Sequence, residues 1–479
     1  MNFENEHLIA SYATDSALAA GTATQKLAIP QLRAAVQGQV ITADDADYDT
    51  ARAVFYGGID RRPAAIVRVA NAHDVAEVVN FARENGVELA VRSGGHSVAG
   101  HGVSEGGIVL DLSAMKQLDI DIEQRTAWAE TGLTAGEYTA AAGTHGLATG
   151  FGDTGSVGIG GITLGGGVGF LVRKYGLTID DLLAAEIVTA DGQILQVDDH
   201  HHPDLFWAIR GGGGNFGVVT RFKFRLHDVP QIVGGMLFLP ATPELVLRFV
   251  ELAEAAPEEL STIANVMIAP PMPFIPAEYH GKLITMAFLV YAGDVEAGQR
   301  AIAPFRALAT PIADMVRPMT YPEMYPPEQE GYHPVAAART MFLDAVGQRE
   351  VDVIFESLKV SNAQFAVAQI RVLGGAVARV PNEATAYAHR NRKIMANVAV
   401  LYQDPAEKAG YEAWAADFAA ALTQGKLGAY SNFLGDEGSA RVREAYPGAT
   451  WDRLVQIKAQ YDPTNLFHLN QNIPPTGKA

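Results

Sequence analysis

The stretch VRSGGHSVAGHG, residues 91–102, joins residue types that hold an anion to one that can bond a ligand. Arg92 ends an apolar run, and Ser93, Gly94 and Gly95 can turn consecutive main-chain N–H groups toward one phosphate, as anion-binding nests do. The imidazole of His96 follows directly, with Ser97 beside it. A second run, GDTGSVGIGGITLGGGVGFLVRKYGL at 152–177, is dense enough in glycine for a flat or phosphorylated ligand to lie against the main chain. A third, RGGGGNFGVVT at 210–220, satisfies G-x-G-x-x-G through Gly212, Gly214 and Gly217. A dinucleotide turn of the Rossmann type needs a helix after that motif. Here VVTRFKFRL continues as an alternating strand with no acidic residue at strand-end spacing, so the Rossmann reading fails.

Side chains able to act on a substrate are more scattered. In AVAQIRVLGG the period of two places Gln369 and Arg371 on one strand face, where they could meet a cavity. His389 lies in YAHRNRK, and Tyr325, Tyr332 and His333 lie in the proline-rich EMYPPEQEGYHP, a candidate substrate loop. For His389 the bland alternative is a surface or interdomain pairing. His200, His201 and His202 follow two aspartates, but adjacent residues cannot easily converge on one ion, so they read as a solvated loop and no metal is expected.

Four ordered blocks, VRSGGHS, SVGIGGITLGGGVGFLVRKYGLT, DLFWAIRGGGGNFGVVT and YDPTNLFHLNQNIPP, together resemble the berberine-bridge-enzyme-like flavoproteins of the vanillyl-alcohol-oxidase superfamily. The resemblance runs from about Val40 to Pro475 and is weak between 230 and 360. It implies an α+β protein with a bipartite FAD-binding domain, an inserted substrate domain made of an antiparallel sheet covered by helices, and a C-terminal segment returning to the flavin. It also implies that His96, the histidine of R-S-G-G-H, bonds the flavin 8α carbon, and that Arg92, Ser93, Gly94, Gly95 and Ser97 surround it. Many members add a cysteinyl bond from C-x-x-V-G-x-G-G. Here Thr154 takes that position, in Thr154-Gly155-Ser156-Val157-Gly158, and a chain without cysteine makes only the single His96 attachment. Gly158, Gly160 and Gly161 would bring main-chain N–H groups to the pyrophosphate. Gly217, Val219, Asn470 and Asn472 would lie along the cofactor.

The family's Y-x-N-Y becomes Tyr430-Ser431-Asn432-Phe433. The second tyrosine, often the base, is phenylalanine, which leaves Tyr430 as a ligand-shaping or hydrogen-bonding candidate. The resemblance thus implies an FAD-dependent oxidase, in which a C–H next to O or N of a small alcohol, sugar, phenol or amine gives up hydride and O2 reoxidises the flavin. A dehydrogenase with another acceptor, or a flavin-binding protein without turnover, stays open.

The elements that must position these residues are legible in outline. A chain of 479 residues, 48% hydrophobic, splits into more than one folding unit. Residues 64–92 read strand, helix, strand, with Asn71 and Asp74 as capping candidates. AAEIVTADGQILQV reads as a hairpin with Asp191-Gly192 supplying positive φ angles. After Pro230, helical periods take over. We expect a leader at 1–30, an FAD-binding domain at 31–228, a substrate domain at 229–428 and a returning segment at 429–479. The net charge of −18 disfavours nucleic acid and anionic membrane partners, and the absence of cysteine excludes disulfides and thiolate chemistry. The polar, acidic N-terminus is unlike a secretory signal, so a cytoplasmic monomer or homodimer is expected.

Overall fold

Ala65–Arg68 and Leu89–Arg92 are strands on either side of the helix Ala72–Asn85, in a computed structural model that describes residues 27–327, 331–363 and 365–475. Asn71 caps the helix by accepting the Asp74 N–H at 3.0 Å. Val75, Val78, Val79 and Ala82 give it an apolar face buried against the sheet. Asp74 does a different job from capping: its carboxylate accepts the N–H groups of Gln37, Gly38 and Ala70, fastening the preceding loop. The two strands are not neighbours. Ile108–Asp111 lies between them, parallel to both, and Gln39–Ile41 pairs antiparallel outside Ala65–Arg68. Residues 1–26, most of the expected leader, lie outside the described residues, while Ile29 and Pro30 open the helix Ile29–Ala35.

A second sheet of five antiparallel strands follows, in the order Leu118–Asp121, Thr126–Glu130, Val218–Arg225, Leu182–Val188, Ile194–Val197. The last two strands form the expected hairpin, but only Gly192 has a positive φ, 81°. The loop has three residues, Ala190 to Gly192. The Thr189 N–H bonds the Gln193 carbonyl at 3.0 Å, and the Asp191 carboxylate accepts the Thr189 hydroxyl at 2.6 Å. That side-chain bond holds Asp191 within the loop and leaves the reversal to glycine alone.

From Ile232 a larger antiparallel sheet begins. Its main strands are ordered Ile232–Pro240, Leu283–Tyr291, Leu260–Ile268, Phe365–Val372, Ile394–Tyr402, Val335–Leu343. The helices Pro243–Ala255, Val295–Arg306, Gln348–Lys359 and Lys408–Leu422 cover one face through Phe249, Phe305, Phe355 and Phe418. Strand periodicity then turns the alternate residues, among them Gln369, Arg371 and Asn397, toward the first two sheets.

The chain returns through the helix Ala449–Tyr461, which ends before Asp462-Pro463, and an irregular tail. Lys458 and Asp462, both without solvent exposure, pair at 2.7 Å. The ammonium also donates to the carbonyls of Asn215 and Phe467, and the carboxylate accepts the N–H groups of Leu466 and Phe467. Asn215 adds two further ties, donating to the Gln471 carbonyl and accepting the Ile473 N–H. The tail is thereby fixed against the glycine loop at 211–217. Among the described residues no helix is long and apolar enough to cross a membrane.

Candidate active site

A cavity of about 470 Å³ opens between the two smaller sheets and the uncovered face of the large one. The 91–102 stretch forms one side. Gly94 packs so closely on Gly158 that a Cβ on either would lie 2.2 Å from the other's amide nitrogen. The Ser93 hydroxyl joins the two loops, donating to the Thr131 carbonyl at 2.5 Å and accepting the Gly160 N–H at 3.3 Å. Arg92, Ser93, Gly94, Gly95, His96, Ser97, Thr154, Gly158, Gly160, Gly161, Gly217, Val219 and Asn470 all reach this cavity. The guanidinium of Arg92 is committed to the Asp111 carboxylate at 2.8 Å and to the carbonyls of Ala51 and Ala53, so it braces the wall from behind.

His96 lies flat on Phe55, with ring centroids 3.9 Å apart and planes 18° from parallel, and its Nε2 is 2.8 Å from the Ser156 hydroxyl. Ser156 therefore acts on the imidazole and does not itself line the cavity. Gly155 and Asn472 are also off the wall: the Gly155 carbonyl accepts the Gly136 N–H, and the Asn472 Oδ1 is buried with no hydrogen-bond partner among the described residues. Asn470 lines the cavity and donates to the carbonyls of Gly214 and Phe467, while its Oδ1 is buried with no hydrogen-bond partner among the described residues.

On the opposite side Gln369 and Arg371 face the cavity together, as the period of two predicts. The Arg371 Nε donates to Gln369 at 2.8 Å and its other nitrogens reach the Asp153 carboxylate at 2.6 Å and the Val168 carbonyl. Gln369 in turn donates to Asn265 at 2.9 Å, and Asn265 to the Met286 carbonyl. The guanidinium sits 5.2 Å from the centre of the Phe433 ring. Tyr430 is fully buried, and its oxygen accepts the Gly167 N–H at 2.9 Å, the Val168 N–H at 3.3 Å and the Asn432 amide at 2.9 Å. Burial pushes its phenol above the ordinary range, and those three donors pull the other way.

His389 needs correcting as a candidate. It is buried outside the cavity, tilted over Phe342 at 4.6 Å, and donates from Nε2 to the Glu444 carbonyl. Burial, with Arg392 nearby, lowers its pKa to about 4, so it is neutral. Tyr325 and His333 tie strands and loops together through the carbonyls of Gly152 and Val54, and residues 328–330 of their segment lie outside the described residues. Among the described residues no cluster of histidine and carboxylate side chains could hold a metal ion.

Among the cavity-lining residues that the reading of the sequence did not single out are Asp153, Asn397, Tyr56 and His101. Asp153 stands directly before Thr154 and His101 within VRSGGHSVAGHG, so proximity to a motif was their signal. Asn397 is the lone polar residue in IMANVAVLY, an exception that could have marked it. Burial raises the Tyr56 phenol to about 12 and lowers the His101 imidazole to about 4.

The glycine cradle suits a flat, phosphorylated cofactor. A Cβ at Gly161 would meet nothing within 4 Å, and Asn470, whose Oδ1 is buried with no hydrogen-bond partner among the described residues, lines the same cavity. Comparison with known proteins agrees. A family model for an FAD binding domain matches residues 63–198, and one for berberine and berberine-like proteins matches 429–474. The protein is an FAD-linked oxidoreductase. It is 32% identical to (R)-6-hydroxynicotine oxidase of Paenarthrobacter nicotinovorans over 95% of this chain and all of that one. Its structure is similar to that of 6-hydroxy-D-nicotine oxidase from Arthrobacter nicotinovorans, with a TM-score of 0.81 at 28% identity over 91% of this chain and 98% of that one. A similar match, TM-score 0.81 at 26% identity over 93% and 99%, is xylooligosaccharide oxidase from Myceliophthora thermophila C1 in complex with xylobiose. The chain belongs to the berberine-bridge-enzyme-like family.

Proposed function

We propose that this protein is an oxidase whose FAD is attached through His96 alone, that its substrate is a small alcohol, sugar, phenol or amine, and that O2 is the electron acceptor. The observation that carries this reading is the joining of the Ser93–Ser97 turn, the glycine loops and the Gln369–Arg371 wall around one cavity. FAD, when bound, supplies a two-electron acceptor for hydride from a C–H next to O or N. On this reading residues 31–228 and 429–479 hold the cofactor and 229–428 the substrate.

The protein's own groups have distinct tasks. Ser156 and Phe55 fix the plane of the His96 imidazole, so that the ring meets its bonding partner in one orientation. Gly158, Gly160 and Gly161 give the pyrophosphate close access to main-chain N–H groups. Tyr430 is a phenol at neutral pH; N–H groups of Gly167, Asn432 and, more distantly, Val168 share its two lone pairs, which leaves its own O–H to donate. Gln369 and Arg371 orient the substrate, with Asp153 holding the guanidinium still.

Removal of hydride from an alcohol requires a group that accepts the hydroxyl proton. Tyr430 retains its proton, Asp153 is engaged by Arg371, and His101 is a weakly basic imidazole. This arrangement favours an amine, whose neutral nitrogen lone pair drives hydride departure without an enzyme base.

Acid precipitation of the purified protein tests the attachment. Yellow colour in the pellet, with FAD mass on the peptide containing His96 and loss of both in His96→Ala, is the expected result. Free FAD in the supernatant would refute the bond. Slow reoxidation of the reduced protein in air would replace the oxidase by a dehydrogenase.

A further inference from the structure

The large sheet carries a row of amides, two of which, Gln369 and Asn397, line the cavity. Asn265, Gln369 and Asn397 come from three adjacent strands and stand directly opposite one another in register, Asn265 against Gln369 and Gln369 against Asn397. The first two are committed, since Gln369 donates to Asn265 and accepts from Arg371, and Asn265 donates to the Met286 carbonyl. Asn397 is different. It lines the cavity, and its Oδ1 is buried with no hydrogen-bond partner among the described residues. A buried acceptor left in this state destabilises the protein unless something else satisfies it.

The wall around Asn397 has little charge to offer. Arg371 is matched by Asp153 at 2.6 Å, and Arg92 by Asp111 at 2.8 Å behind the opposite wall. Asp153, Arg92 and Arg371 are the charged side chains other than histidine among the described residues lining the cavity. Of the two histidines, His96 belongs to the cofactor attachment and His101 is held neutral by burial. An ionic ligand would lose its hydration and meet only counter-charges that are already paired. Beside Asn397 the strands contribute the methyl groups of Ala336, Ala338 and Ala399, which leave room against the sheet and present an apolar surface.

We propose, on the flavoprotein reading above, that Asn397 is a specificity-determining residue whose amide hydrogen-bonds an uncharged polar group of the substrate, and that the site discriminates against both anions and cations. The apolar body of the substrate rests on the alanines, and an amine enters as its neutral base.

Three isosteric probes that cannot be oxidised separate the possibilities: benzamide, benzoate and benzamidinium. Each is titrated at pH 7 into the purified holoprotein, with binding read by calorimetry and by perturbation of the visible flavin spectrum. Benzamide should bind about ten-fold or more tightly than either ion, a difference of about 1.4 kcal/mol. Asn397→Ala should weaken benzamide several-fold and leave the ions unchanged, and the near-isosteric Asn397→Asp should raise the affinity for benzamidinium. Equal or tighter binding of either ion to the unaltered protein overturns the proposal, as does failure of all three to bind or an Asn397→Ala variant with undiminished benzamide affinity. The ranking on the unaltered protein decides the matter if a variant does not fold. Absence of flavin from the same samples would sink the oxidase reading separately, since calorimetry reports the ranking without it.

Discussion

Replacement of Lys458 by methionine would leave the Asp462 carboxylate in a site with no exposure to solvent. Two backbone N–H groups, from Leu466 at 2.8 Å and Phe467 at 2.9 Å, would still solvate it. The carbonyls of Asn215 and Phe467 would each lose a donor. Removing one partner of a buried pair typically costs about 3–5 kcal/mol because the other charge stays buried. With part of the carboxylate's solvation retained and two carbonyls orphaned, we expect Lys458→Met to lose about 4 kcal/mol. Asp462→Asn should lose about 3 kcal/mol, since the ammonium keeps its two carbonyl acceptors. The double variant contains no buried ion and should be more stable than Lys458→Met, with a coupling of about 3 kcal/mol or more. Urea denaturation followed by far-ultraviolet circular dichroism gives these differences, with flavin absorbance as a second probe. Losses that simply add in the double variant, or a Lys458→Met loss under about 1 kcal/mol, would refute the assignment of the pair as the clamp on the tail.

Two further outcomes follow from the same geometry. His389 takes up its proton near pH 4 in the folded protein and near 6.5 when unfolded, so between these values the unfolded chain binds more protons and stability falls as the pH falls; the slope is about 1.4 kcal/mol per pH unit, it vanishes above 6.5, and His389→Gln should flatten the acid limb of a melting-temperature profile. Gly158→Ala drives a Cβ to within 2.2 Å of the Gly94 nitrogen and the Ser93 hydroxyl, so it should lower both the melting temperature and the flavin content, whereas Gly161→Ala meets nothing and should lower flavin content alone; a Gly161→Ala protein with full flavin would remove that glycine from the cofactor site.

The side of the cavity proposed to hold the cofactor is the more legible half because its parts are contiguous in sequence. Ser93 to Ser97, Gly158 to Gly161 and Gly217 act largely through the main chain, so residue type and local spacing already imply the chemistry. His389 shows the limit of that logic: an aromatic-x-His-Arg pattern does not state which way a loop residue turns, and the Glu444 carbonyl, brought alongside by the returning chain, takes its Nε2–H. The hairpin expected at Asp191-Gly192 forms, but the tight turn with positive φ at both residues fails for a related reason. The dipeptide signals a turn, but the Thr189 hydroxyl and the pairing of Thr189 with Gln193 set the loop at three residues.

The substrate wall was harder because it is an interaction between strands. Period two correctly joins Gln369 to Arg371, yet what fixes them is Asn265, 104 residues from Gln369, and Asp153, 218 residues from Arg371. Register across three strands, which no local pattern encodes, decides that Asn265 and Gln369 satisfy each other and leave Asn397 over. The same construction makes this wall the easier half to change. A side chain on a sheet backed by four helices can be exchanged without moving the main chain that carries it, whereas a Cβ at Gly94 or Gly158 drives apart the two loops proposed to hold the cofactor. A substitution at position 397 should therefore redirect the choice of substrate at small cost in folding, whereas one at Arg371 would also leave the Asp153 carboxylate without its partner; on the proposed reading the chemistry stays with the glycine loops and specificity with the sheet.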